Sequence, residues 1–251
     1  MTRPIIAAIL LCLVAAASSY AESRHFTYVY EVTTSPPGEL EVENWVTWKT
    51  HLPDDHAFDR VDFRHELEFG VTDRLQASVY LADWSYETGH SIDSPGFAYS
   101  TSALELIYNI SNPVADPIGL AVYGEIRVGY RSLELESKVI AQKNIGPVVL
   151  AYNATLEAGW NGEGLNEREG EIQQSLGVSR EWNPHFSTGV EVVHEIPIPE
   201  WRKLGRNFLF AGPNVSVRAG KWWTTVSALA QLTSAGGEPD FQLRTIVGYE
   251  F

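Results

Sequence analysis

The chain repeats one habit twelve times. From residue 38 onward, runs of about 10–14 residues alternate apolar with polar or small side chains, and turn residues separate the runs. A period of two sends successive side chains to opposite faces of a β-strand, so each run is a strand with one apolar and one polar face. The runs cover residues 39–50, 60–69, 74–86, 99–111, 118–131, 133–143, 147–160, 170–181, 186–196, 207–218, 222–233 and 241–251. In the second, Val61, Phe63, Leu67 and Phe69 oppose Asp62, Arg64, Glu66 and Glu68. In the fifth, Leu120, Val122, Ile126 and Val128 oppose Glu125 and Arg127. Pro213, inside the tenth run, lacks an N–H and is expected to weaken the ladder there.

The connections alternate in length. Short ones at 70–73, 112–117, 144–146, 183–185 and 219–221 interleave with longer ones at 51–59, 87–98, 161–169, 197–206 and 234–240. Ser132 alone is too short for its place. Short turns on one side and long loops on the other form the pattern of a transmembrane β-barrel, and an even strand count brings both ends of the sheet to the short-turn side. In lipid every backbone N–H and C=O needs an internal partner, so such a sheet closes on itself. Tilted strands of roughly 11 residues are long enough to cross. Trp48, Trp84, Trp160, Trp182, Trp222 and Trp223 fall near strand ends, as interfacial girdles do. A soluble sandwich capped by tryptophans accounts less well for apolar parity in all twelve runs. The expected fold is all-β: a transmembrane antiparallel barrel of about 12 strands over residues 38–251.

The first 21 residues read as an export signal. Arg3 precedes an unbroken apolar run at 5–17, and Ser19-Tyr20-Ala21 supplies a small-x-small cleavage pattern. The run is too short to span as a helix. Residues 22–37, ending Ser35-Pro36-Pro37, read as a short periplasmic segment with a route into the lumen. Cys12 is the single cysteine and lies within the signal, which excludes a disulfide framework and a Cys-ligated metal. Eighteen bases against 32 acids give a net charge of −14, which argues against nucleic acid as a partner.

Several motifs carry a resemblance. Residues 26–31 (Phe-Thr-Tyr-Val-Tyr-Glu), 43–47 (Glu-Asn-Trp-Val-Thr), 65–74 and 116–120 (Asp-Pro-Ile-Gly-Leu) resemble a family of uncharacterised bacterial outer-membrane β-barrel proteins. Tyr249 and Phe251, alternating at the end of the last run, resemble the C-terminal aromatic signature of such barrels and are the expected assembly signal. The resemblance implies an outer-membrane location in a Gram-negative-type bacterium after export. It implies outer-membrane lipid and the barrel assembly machinery as partners. It brings no catalytic residues and no cofactor.

Acids outnumber bases on the polar parity. Glu66, Glu125, Glu136 and Glu191 come from four strands, with Arg64 and Arg127 close by. Uncompensated carboxylates around a lumen attract cations, so this set is the expected selectivity element of a channel or small-solute porin with mild cation preference. The rival is an interior stitched shut by Arg–carboxylate pairs, a plugged structural or adhesive barrel. A barrel hydrolase is the third reading, with Ser85, His90, His194 and Glu195 near the long-loop rim, but no spacing ties a serine to a histidine. His51, Asp54, Asp55 and His56 cluster in one connection and match no closed metal motif. No catalytic, cofactor or metal residue is assigned.

Overall fold

A computed structural model describes residues 24–251; the expected signal peptide, residues 1–21, lies outside them. Thirteen strands follow in chain order: β1 Leu40–Leu52, β2 Asp55–Thr72, β3 Leu75–Thr88, β4 Gly96–Tyr99, β5 Thr101–Ser111, β6 Gly119–Gly129 and β7 Ser132–Ile145. Then come β8 Val148–Asn161, β9 Glu167–Asn183, β10 Phe186–Pro197, β11 Phe208–Ala219, β12 Trp222–Gln231 and β13 Phe241–Glu250. Each neighbour pairing is antiparallel, and β1 pairs with both β2 and β13, which closes the sheet. Twelve strands form the barrel wall. The four-residue β4 pairs only with the upper part of β3 and continues the line of β5 beyond a break at Ser100. The all-β, twelve-stranded barrel expected from the alternation is the fold observed.

The outward parity is the one read from the sequence. Leu104, Leu106, Val122, Ile126, Leu135, Val139, Leu156, Leu176 and Val190 are all exposed on the outer face. Large apolar side chains on an outer face with no protein against them mark a lipid-facing surface. Aromatic rings gather toward both rims. Trp84 stacks edge-on to Tyr99 and Tyr86 lies against Phe97 near the long loops; Trp222, Tyr249 and Phe251 form a chain of contacts near the short turns.

Three local features depart from simple alternation. The connection expected at 51–59 is mostly strand: β1 and β2 stay paired up to Leu52 opposite Asp55, so only residues 53–54 turn. In β3 one extra residue, Leu81, is inserted where His65 faces Ala82 and Glu66 faces Tyr80. This bulge flips the parity of the strand, so Gln76, Ser78 and Tyr80 point inward below it, and Ser85 is buried above it. At Pro213 the β11–β12 pairing skips from Ala211 to Asn214, the ladder gap that a proline imposes.

Strand lengths make the rim uneven. β2 and β9 have 18 and 17 residues, whereas β12 and β13 have 10. Between β6 and β7 only residues 130–131 turn.

Candidate functional site

The lumen has two halves of different chemistry. In the short-turn half, the wall carries apolar side chains on the inward parity: Ile107, Ala121, Tyr123, Ile140, Val149, Ala151 and Ile246 are all buried, whereas Val193 and Leu229, toward the long-loop end, pack with Phe208, Phe210 and Ala235. Such groups are unfavourable beside water and need a cover. Residues 24–37 supply it. Tyr30 and Val32 pack among Trp45, Ile107, Tyr123, Ile140, Trp223 and Ile246. Phe26 and Val29 pack on Val149 and Ala151. Gly177 admits the Phe26 ring; a Cβ there would lie 2.6 Å from it.

Polar contacts fix this internal segment along its length. The Glu191 carboxylate accepts the backbone N–H groups of Thr27 (3.0 Å), Tyr28 (2.7 Å) and Val29 (3.2 Å), the Asn214 amide, and the Ser227 hydroxyl. Three consecutive N–H groups on one carboxylate form an anion nest, and charge-assisted bonds of this kind are the stronger class. Asn153 accepts from Tyr30 N at 2.7 Å and donates back to Tyr30 O at 2.9 Å, so a side-chain amide does the work of a strand partner. Gln142 accepts from Val32 N, Asn109 donates to Val32 O, and Gln76 accepts from Ser35 N. Arg24 pairs with Glu43 at 2.8 Å and reaches Glu68 at 3.5 Å. His25 bridges Glu31 and Glu181 at 2.9 and 3.0 Å. Burial lowers the His25 pKa, but the Glu31 charge and the hydrogen bonds to Glu181 and Glu31 outweigh it and push it up to about 10.

The long-loop half holds a vestibule of ≈500 Å³, floored by Tyr28, Tyr30, Trp45 and Tyr123. Most of its charges are paired locally: Arg127 and Lys138 hold Glu134 and Glu136 on the β6–β7 side. On the β1–β3 and β13 side stand Lys49, Arg60, Arg64 and Arg244. Lys49 and Arg60 share Asp62, and Arg64 holds Asp83 through two hydrogen bonds of 3.0 Å. Arg244 lies 3.7 Å over the Tyr28 ring. Glu171 and Glu195, from β9 and β10, and Glu238, from the loop before β13, also line the cavity, and none of the three has an ion-pair partner among the described residues. Burial raises the Glu238 pKa, and the Lys49 and Arg60 charges only partly oppose this.

The expected selectivity residues divide between the halves. Glu125 and Glu136 are direct cross-strand partners and share Arg127, as does Glu134. Arg64 belongs to the vestibule. Glu66 is fully buried beneath Arg24, and Glu191 is taken up by the internal segment. The six do not form one ring at a common depth. Sequence reasoning did not single out Glu171, Glu195 and Glu238 as a set, and it left residues 24–37 without contacts; the apolar residues on the inward parity were the available signal for the segment.

One arrangement spans both halves. Glu250, Glu41, Glu68, Ser78, Glu105, Glu125, Glu136, Glu157 and Glu171 are successive cross-strand partners. Barrel strands tilt and rows run across them, so this row climbs from the short-turn rim at Glu41 to the vestibule at Glu171. At its upper end, carboxylate oxygens of Glu134, Glu136 and Glu157 come within 4.8 Å of one another.

Near the rim, the groups considered for hydrolysis do not assemble. His194 shares the outward parity of Val190. Asp55 accepts both the N–H and the hydroxyl of Ser91, and exposed His90 lies 3.5 Å from the same carboxylate. His51 and His56 rings are 6.1 Å apart, across the β1–β2 hairpin.

Residues 18–245 match the family of unknown function DUF6662. The chain belongs to that family. No curated protein matches it by sequence. Among solved structures it is similar to the COG4313 outer membrane channel from Pseudomonas putida F1, with a TM-score of 0.65 and 13% identity, over 90% of this chain and 100% of that one. It is also similar to the NanC porin, with a TM-score of 0.56 and 9% identity over 84% and 98% of the two chains. The KdgM porin in complex with disordered oligogalacturonate gives 0.53 and 8% over 84% and 99%. At these identities the likeness establishes this DUF6662 member's fold, an outer-membrane-type barrel.

Proposed function

We propose that this protein is an outer-membrane channel for small solutes or ions, with a mild cation preference, whose lumen is narrowed by its own residues 24–37. The observation that carries the reading is the ≈500 Å³ vestibule: a charged, unfilled space continuous with the long-loop end, where a purely structural barrel of this width would carry packed side chains. Similarity to outer-membrane channels and porins supports it. The lipid-facing outer surface and paired aromatic rims support residence in the outer membrane, with the short turns in the periplasm. Tyr249 and Phe251, in contact at 5.0 Å at the short-turn rim, suit recognition by the barrel assembly machinery.

Cation preference follows from charge. Glu171, Glu195 and Glu238 face the vestibule without ion-pair partners among the described residues, whereas most bases there are paired. The internal segment favours one rival, a sealed structural barrel. Single-channel recording separates them. The channel reading expects small, weakly cation-selective steps from the full chain and larger steps after deletion of residues 26–33. Silence from both proteins selects the sealed barrel.

A further inference from the structure

The lumen holds two cavities. The vestibule is the upper one. The lower, of ≈150 Å³, is lined toward the short turns by Pro36, Glu41, Glu68 and Gln76. Among the described residues, Tyr30 alone lines both. It is 9% exposed and stands between them as a partition.

The ring is held from several directions. Asn153 fixes the Tyr30 backbone through two hydrogen bonds. The phenol hydroxyl donates to Glu105 at 3.3 Å and lies 3.3 Å from the Tyr80 hydroxyl. Tyr123 meets the ring edge-on, with centroids 5.1 Å apart, a favourable aromatic geometry. A base also approaches the ring from each cavity. Lys138, which lines the vestibule, places its ammonium 3.9 Å from the ring centroid. Arg24, which lines the lower cavity, places its guanidinium 5.0 Å from it, and 5.0 Å from the Trp45 ring in the vestibule floor. Cations over aromatic faces are attracted, and more strongly where water is excluded. Both bases are paired with carboxylates as well, Lys138 with Glu136 and Arg24 with Glu43. What the ring adds to a path between the cavities is therefore bulk, while charge is balanced around it.

We infer that Tyr30 is the constriction of the permeation path, a size filter made by one aromatic ring, with Arg24 and Lys138 as its positioning residues. The inference rests on the channel reading above. It separates two properties of one pore: Tyr30 limits how much passes, and the vestibule carboxylates bias which sign passes.

The test records single channels from the full mature chain. Tyr30→Ala should give steps several-fold larger than wild type at an unchanged reversal potential. Tyr30→Phe keeps the ring and should keep wild-type steps. Val32→Ala thins the packing of the same segment but lines neither cavity, so it should keep them too. Cys12, in the expected signal, is the one cysteine of the chain, so Tyr30→Cys carries the only thiol of the mature protein. Treating that variant with benzyl methanethiosulfonate returns a ring to position 30, and its enlarged steps should shrink. Wild-type steps from Tyr30→Ala alongside larger ones after deletion of residues 26–33 overturn the constriction and leave the channel standing. Steps from Val32→Ala as large as those from Tyr30→Ala, or no shrinkage on refilling, do the same. Silence from every protein, the deletion included, overturns the channel reading and the constriction with it.

Discussion

The two halves of the lumen are built by the same strands on the same inward parity, yet one packs and the other stays open. Below, Ile107, Ile140, Val149 and Ile246 alternate with outward residues and leave apolar wall that residues 24–37 must cover. Above, the same strands turn Glu134, Glu171 and Glu195 inward onto an open cavity that they share with the loop residue Glu238. Burying a side chain such as Phe26 gains roughly 1.5–3 kcal/mol, while ordering each residue costs about 1–2 kcal/mol. Apolar cover alone does not hold an extended segment, so its polar clamps decide whether it stays. Closure is thus a property of the lower half, and the response to solutes and ions belongs to the upper.

The largest expected effect comes from Glu191. Replacing it with Ala leaves the N–H groups of Thr27, Tyr28 and Val29 buried without an acceptor. Three such groups together cost at least about 3 kcal/mol. The segment should then release, seen as protease cleavage within residues 24–37 while the barrel stays heat-modifiable. Glu195→Ala, four residues further along β10 and in the vestibule, should not release it. Equal cleavage in both variants would erase the distinction between the halves.

His25 gives the second test, through pH. Its pKa is raised in the folded protein to about 10 from an ordinary 6.5. The docking energy it contributes is therefore complete below about pH 6.5 and is lost as pH rises through about 10, at roughly 1.4 kcal/mol for each pH step of one within that window. Amide protection factors of residues 24–32, taken relative to the intrinsic exchange rate at each pH, should fall across the same window, and Glu31→Gln should narrow it. Protection factors that stay constant from pH 6.5 to 10 would remove His25 from the clamp.

Gly177 tests packing in the lower half at smaller cost. Any larger residue collides with the Phe26 ring, and overpacking of this kind costs roughly 1–3 kcal/mol. Gly177→Val should loosen the segment, and pairing it with Phe26→Ala should restore part of the loss. No rescue in the double variant would mean that the clash falls on the wall rather than on the segment.

Much of this is legible in the sequence. Alternation with period two fixes which face of each strand meets lipid, because a slip of one residue would bury every charge on it in hydrocarbon. The bulge at Leu81 is not legible: one inserted residue in a run of mixed Ala, Ser and Tyr leaves either parity plausible, and it decides that Ser85 faces inward. Neither is the fate of Glu191. A carboxylate on the lumen parity looks the same whether it faces ions or three backbone N–H groups. The counter-signal is present in Tyr123, Ile140, Val149 and Ile246, apolar residues on a parity that a water-filled pore has no use for. Read together with Phe26, Val29, Tyr30 and Val32 just before the first strand, they mark a wall and its cover.

The smallest effect, and the one that belongs to the upper half alone, is selectivity. Glu171 and Glu195 come from neighbouring strands β9 and β10 and line the vestibule opposite Lys49 and Arg244. With Lys49, Arg60, Arg64, Arg127 and Lys138 each paired to a neighbouring carboxylate, most of the field cancels locally, so only the surplus of unpaired carboxylates acts on a passing ion. Removing that surplus should move the reversal potential toward zero without altering segment docking. The double variant Glu171→Gln, Glu195→Gln is expected to do this at about 0.15 M salt, where the Debye length is roughly 8 Å and spans much of the vestibule. At 1 M it falls to roughly 3 Å, and wild type and variant should converge. The same change at Glu66 and Glu105, buried beneath the segment, should leave the reversal potential where it was. A shift from the buried pair and none from the vestibule pair would mean that ions pass along the lower wall, and the division of the lumen into a closed half and a responsive half would have to be redrawn.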